Sequence, residues 1–107
     1  MTGPAGRARV VFHVRVPEDR QEEFLAAYER IRYSVAEGVE GHLHDQVCQS
    51  ADDPEQWLIT SEWACLELFR AWERSPGHRE LAGPLRACMT EARSHVFRVV
   101  AETAARA

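Results

Sequence analysis

Val10, Phe12, Val14 and Val16 take every second position of the segment Arg9–Val16, with Val11, His13 and Arg15 between them. That alternation predicts a strand whose two faces meet different surroundings. Pro17, Glu18 and Asp19 follow as a helix start, because proline tolerates the first turn and carboxylates complement the exposed N–H groups there. Phe24, Tyr28, Ile31 and Val35 then recur at spacings of four, three and four, with Leu25 beside them, predicting an amphipathic helix to Glu37 that Gly38 stops.

After Gly41, Leu43 and Val47 alternate with His44, Gln46 and Cys48 across His42–Gln49, and Ser50–Pro54 is a strong turn signal. Trp57–Trp63 returns as the second arm of a hairpin, with Trp57, Ile59, Ser61 and Trp63 on one face. Leu66, Phe69 and Trp72, flanked by Leu68, predict a short helix that ends near Ser75–Pro76–Gly77. Gly83–Pro84 reads as a second break, with Pro84 opening a third short helix whose inner stripe is Leu85, Cys88, Met89 and Ala92. His95–Glu102 alternates Phe97 and Val99 against Val96, Arg98 and Val100, a fourth strand.

The order β-α-β-β-α-α-β defines an α+β, ferredoxin-like domain with a four-stranded antiparallel sheet and its helices on one face. Strands one and four are apolar on both faces, so a second subunit is expected over the helix-free side.

Composition narrows the picture. A length of 107 residues, 45% apolar and 28% charged, suits one globular domain. It is expected over residues 9–102, between flexible tails at 1–8 and 103–107. A chain of this size buries roughly 65% of its unfolded surface, which leaves little room for a large enclosed pocket without help from a partner. The net charge is −4, and the 13 basic residues, all arginine, are scattered among 17 acidic ones. Nucleic acid and anionic membranes are therefore not expected partners. Cys48, Cys65 and Cys88 form no C-x-x-C pair, so no disulfide framework or zinc ribbon is indicated and a reducing cytoplasm fits. No signal peptide or apolar span is visible.

The stretch Ser61–Glu62–Trp63, then Leu66–Glu67–Leu68–Phe69–Arg70–Ala71–Trp72–Glu73–Arg74–Ser75–Pro76–Gly77–His78–Arg79–Glu80–Leu81, resembles the antibiotic biosynthesis monooxygenase family. In that family a strand ending in tryptophan leads into a helix and a Ser-Pro-x-His turn. The Gly41 strand and the Asp52–Asp53–Pro54 hairpin match too, and the resemblance covers Arg9 to Glu102. It implies a dimeric α+β barrel, two sheets packed face to face, with a pocket between each sheet and its helices. It also implies a monooxygenase that works without cofactor or metal on a phenolic, polyketide-like aromatic substrate and molecular oxygen. Two other readings stay open: a non-catalytic dimeric binding domain for a hydrophobic ligand, and a heme-binding or heme-degrading relative.

Such a site needs aromatic walls and few polar groups. Trp63, Trp72, Tyr28 and Phe69 are candidate walls, although large aromatics at these positions also serve simply as core. His44, His13 and His95 are candidates for a base or hydrogen-bond donor near neutral pH, and His78, in the Ser-Pro-Gly-His turn, for the pocket mouth. The catalytic candidates are thus His44, Trp63 and Trp72; the substrate-binding candidates are His13, Tyr28, Phe69, His78 and His95. His42 and His44, two apart, are expected on one strand face, but local spacing offers no third ligand and no metal is assigned. Cys48 and Cys88 read as small apolar residues. Two positions depart from the family pattern: Ala82 stands where the heme-degrading branch has its iron-binding histidine, and Ile59 where quinone-forming members have an asparagine.

Overall fold

The computed structural model describes residues 6–106, the side chain of Ala36 apart. Residues 1–5 and 107 of the expected tails lie outside the described residues. The elements run β1 (Ala8–Arg15), a 3₁₀ turn (Glu18–Arg20), α1 (Gln21–Gly38), β2 (His42–Gln49), β3 (Gln56–Trp63), α2 (Leu66–Glu73), α3 (Pro76–Arg86) and β4 (Glu91–Arg98). The strands form one antiparallel sheet in the order β2-β3-β1-β4, the ferredoxin-like α+β arrangement that the pattern predicts.

Alternation sorts the sheet. Val10 and Val14 of β1, with Trp57 and Trp63 of β3, point to the helices and are buried with Phe24, Tyr28, Val35, Phe69 and Leu85. At about 25 cal/mol for each Å² of apolar surface removed from water, this layer is the main stabilising contribution. Phe24, Tyr28 and Val35 carry the inner stripe of α1, while Leu25 is exposed. Among the described residues no helix is long and apolar enough to cross a membrane.

Three expectations need correction. The Gly83–Pro84 break does not exist: α3 begins at Pro76, capped by the Ser75 hydroxyl accepting from the His78 N–H at 3.2 Å, and runs through Pro84. Pro84 removes one N–H donor from the last turn, and Leu85 beyond it, anchored in the core, holds the helix through that lost bond. Cys88 and Met89 follow in a turn, and Ala92 belongs to β4 instead of a helix.

β4 also begins four residues earlier than its own pattern suggests. Its register follows β1, from Arg15 opposite Glu91 to Ala8 opposite Arg98, as an edge strand on which only Val96 is half-buried. Backbone pairing to β1, not side-chain burial, sets its limits. The third correction is a β-bulge in β2: His42 pairs with Trp63, and His44 with the next residue back, Glu62. The bulge leaves Leu43 unpaired and turns His42 and His44 to opposite faces.

Candidate functional site

Between the sheet and the helices lies a cavity of about 170 Å³. Val10, Phe12 and Ile59 line it from the sheet, Tyr28, Ile31 and Val35 from α1, and Leu81, Ala82 and Leu85 from α3. Its aromatic wall is built by the β3–α2 junction, where strand parity points Trp63 inward and helical spacing brings Phe69 and Trp72 onto it. The Trp63 and Trp72 rings stack with centroids 5.7 Å apart at 30°, and Phe69 meets Trp63 edge-on at 5.4 Å. Trp63 is only 1% exposed, and its indole N–H donates to the Ser61 hydroxyl at 2.9 Å, so ring position and ring polarity are both fixed. Arg32, Glu73, His78 and Arg86 complete the lining with polar and charged groups.

A hydrogen-bonded polar line runs beside this aromatic wall. The Tyr28 hydroxyl donates to Asp45 Oδ2, and Asp45 Oδ1 lies 2.9 Å from His42 Nε2. The His42 side chain is 6% exposed and packs edge-on against Trp63 at 5.3 Å. Burial, then the hydrogen bond to Asp45, push the Tyr28 phenol well above its ordinary range, so it stays protonated and donates. The bulge aims His42 inward, and Gly41 makes the bulge possible. Its φ is +88°, and a Cβ there would lie 2.7 Å from the Leu68 Cβ. His78 packs edge-on against Trp72 at 4.5 Å; burial, and next the Arg86 guanidinium, hold its imidazole below the usual value.

Of the residues singled out from the sequence, the structure brings Trp63, Trp72, Phe69, Tyr28 and His78 together around the cavity. It places His13, His44 and His95 elsewhere, on the helix-free face. His44 Nε2 is 3.0 Å from Glu62 Oε1, and His13 and His95 face each other edge-on at 5.6 Å. Parity decides this: His13 and His95 fall between the inward residues of β1 and β4, and the bulge sends His44 out with Glu62. The expectation that His42 and His44 share a face is therefore overturned. Asp45, Arg32 and Arg86 were not singled out, and for Asp45 the available signal was a glycine ahead of a histidine with a carboxylate three residues on. Ile59 and Ala82, the two departures from the family pattern, both line the cavity.

Residues 7–83 match the family model for antibiotic biosynthesis monooxygenases. The chain belongs to the antibiotic biosynthesis monooxygenase family. Among its relatives are the 42.8 kDa protein in the whiE locus of Streptomyces coelicolor, 46% identical over 97 residues, and Polyketide synthase CurD of Streptomyces cyaneus, 45% identical over 97 residues. Both alignments cover 91% of this chain but only 24% and 26% of those proteins, so the chain spans about a quarter of their length.

The fold of this family member is shared with solved structures. SnoaB, a cofactor-independent oxygenase from Streptomyces nogalater, superposes with a TM-score of 0.80 at 20% identity, covering 92% of this chain and 97% of SnoaB. A conserved protein from Methanosarcina mazei superposes at 0.81 with 22% identity, over 89% of this chain and 94% of that one. The family match takes in every cavity-lining residue except Leu85, Arg86 and Ser94.

Proposed function

We propose that this domain is a cofactor-independent oxygenase that converts an electron-rich phenolic ring of polyketide type into a quinone, with molecular oxygen as its co-substrate. The observation that carries the reading is the stacked Trp63–Trp72 pair with Phe69, an aromatic wall beside a hydrogen-bonded polar line from Tyr28 through Asp45 to His42. Such a site holds a flat ring by stacking and keeps water from the radical or carbanion that forms as oxygen adds. The reaction balances without another reductant: the ring carbon gains one oxygen atom as C=O, and the second leaves as water with the ring's two hydrogens.

Size sets the substrate's shape. An apolar cavity of roughly 150 Å³ holds a benzene ring. The 170 Å³ here therefore encloses the reacting ring, and fused rings extend past the polar groups of Arg32, Glu73 and Arg86. It lies below the roughly 300–1,000 Å³ of pockets for larger ligands, which weighs against a porphyrin. The names of the relatives support a polyketide setting, and that of SnoaB supports chemistry without a cofactor.

A second copy of the chain completes the assembly. Val11, Leu58 and Phe97 stand on the helix-free face around the buried Glu62, which pairs with Arg7 and Arg9. A facing sheet buries this apolar surface and forms the dimeric barrel. The free thiols Cys48, Cys65 and Cys88 suit a reducing cytoplasm.

The test is oxygen consumption by the purified protein with a panel of anthrones and naphthols, without added metal or flavin. Uptake of one O₂ per ring oxidised, slowed by Trp72→Ala, is the expected result; no uptake across the panel contradicts it. One observation favours a second reading, a binding domain for an aromatic ligand: Ile59 puts an apolar side chain where a polar amide was expected. Tight binding of the same phenols without any oxygen consumption is the outcome that reading predicts.

A further inference from the structure

The oxygenase reading needs a group that removes the phenolic proton, because an anionic ring gives up electrons to oxygen far more readily than a neutral one. The histidines chosen for that role from the sequence lie on the wrong face of the sheet. His44 is bound to Glu62 there, and His13 and His95 sit against each other. Two imidazoles line the cavity, His42 and His78. His78 is a poor acceptor, since burial and the neighbouring Arg86 disfavour its protonated form.

His42 is built differently. A carboxylate accepts hydrogen bonds and does not donate them. Asp45 Oδ2 is filled by the Tyr28 hydroxyl, so Oδ1, at 2.9 Å, accepts the Nε2–H of His42. With its proton held on Nε2, the neutral ring carries its free lone pair on Nδ1, and Trp63 at 5.3 Å fixes the ring plane. Three elements converge on this arrangement: α1 supplies Tyr28, the bulged start of β2 supplies His42 and Asp45, and β3 supplies Trp63. A carboxylate that fixes a histidine's tautomer and steadies the imidazolium it becomes is the logic of a catalytic triad with a phenol in place of the serine.

We propose that His42 is the general base of this site, that Asp45 is the positioning residue that sets its tautomer, and that Tyr28 holds Asp45 in place. The proposal rests on the oxygenase reading and deepens it. The substrate O–H bond breaks with its proton moving to Nδ1 and its electron pair staying on oxygen. The phenolate carbon para to that oxygen then gives electrons to O₂ and forms a C–O bond. The outer peroxide oxygen takes the proton back from Nδ1, giving a hydroperoxide and a neutral imidazole. Loss of the remaining hydrogen on that carbon, with cleavage of the O–O bond, expels water and leaves the quinone. A substrate with an acidic ring hydroxyl fits this base, whereas its methyl ether has no proton to give and should bind without turnover.

Three measurements test it. The His42→Gln variant should lose about 10²- to 10⁴-fold in kcat, the usual contribution of a positioned base, with KM nearly unchanged. His42→Gly should regain turnover when imidazole is added to the solution, a response that a purely structural role does not give. Long-range ¹H–¹⁵N NMR on the wild-type protein should find the His42 proton on Nε2, with that preference lost in Asp45→Leu. His42→Gln working at the wild-type rate, or a wild-type His42 carrying its proton on Nδ1, overturns the base assignment and leaves the oxygenase reading intact. A wild-type protein that binds phenols and never consumes oxygen overturns the oxygenase reading, and this role with it.

Discussion

The two faces of this sheet are made by the same strands, yet they are different materials. Towards the helices, Val10, Val14, Trp57 and Trp63 are buried, and Ser61, Asp45 and His42 are each hydrogen-bonded inside the fold. Away from them, Val11, Leu58 and Phe97 mix with His13, His44 and His95, and Phe97 is 54% exposed. Histidine content therefore says little about where chemistry takes place. What separates a candidate base from a surface imidazole here is one inserted residue in β2, because a bulge exchanges the face to which the preceding side chain belongs.

That contrast can be broken deliberately. The largest effect is expected from Trp63→Ala, which empties the centre of the closed face and should cost about 3–5 kcal/mol in urea unfolding. Gly41→Ala comes next, at about 2–3 kcal/mol, since it combines an unfavourable positive φ with a clash against Leu68. It should also disturb the Trp63 fluorescence, because the bulge that seats His42 shifts.

On the other face, Leu58→Asp should weaken self-association about tenfold or more, equivalent to about 1.4 kcal/mol, as read by sedimentation. It should leave the secondary structure intact. Equal loss of fold from Leu58→Asp and Trp63→Ala would erase the distinction between the faces.

The smallest effect concerns pH. His78 is held below its ordinary value of 6.5, chiefly by burial, so folding favours the neutral ring. The stability from that preference is complete above the unfolded value and is lost as pH falls through the lower folded one. His78→Gln should therefore flatten the decline in stability between about pH 7 and pH 5, measured by denaturation at each pH.

Much of this was readable from side-chain periodicity. The alternation of β1, the stripe of α1 and the hairpin around Asp52–Pro54 placed Trp63, Trp72, Phe69 and Tyr28 inward, because burying large aromatics is what strand and helix periods encode. Three features were not readable, each for its own reason. Pro84 obeys a local rule that the packing of Leu85 overrides. The limits of β4 come from backbone pairing to β1, which its polar residues Glu91, Arg93 and Ser94 do not advertise. The bulge at Leu43 shifts parity by one, so a perfect count along β2 assigns His42 and His44 wrongly; only Gly41 hinted at it.

The most direct measurement is tryptophan-fluorescence titration of a planar naphthol into three proteins: wild type, Trp72→Ala and His44→Ala. If the helix-side cavity is the site, His44→Ala binds as wild type does, and Trp72→Ala weakens binding about tenfold or more. Binding that survives Trp72→Ala and fails in His44→Ala would put the site on the opposite face and contradict the account.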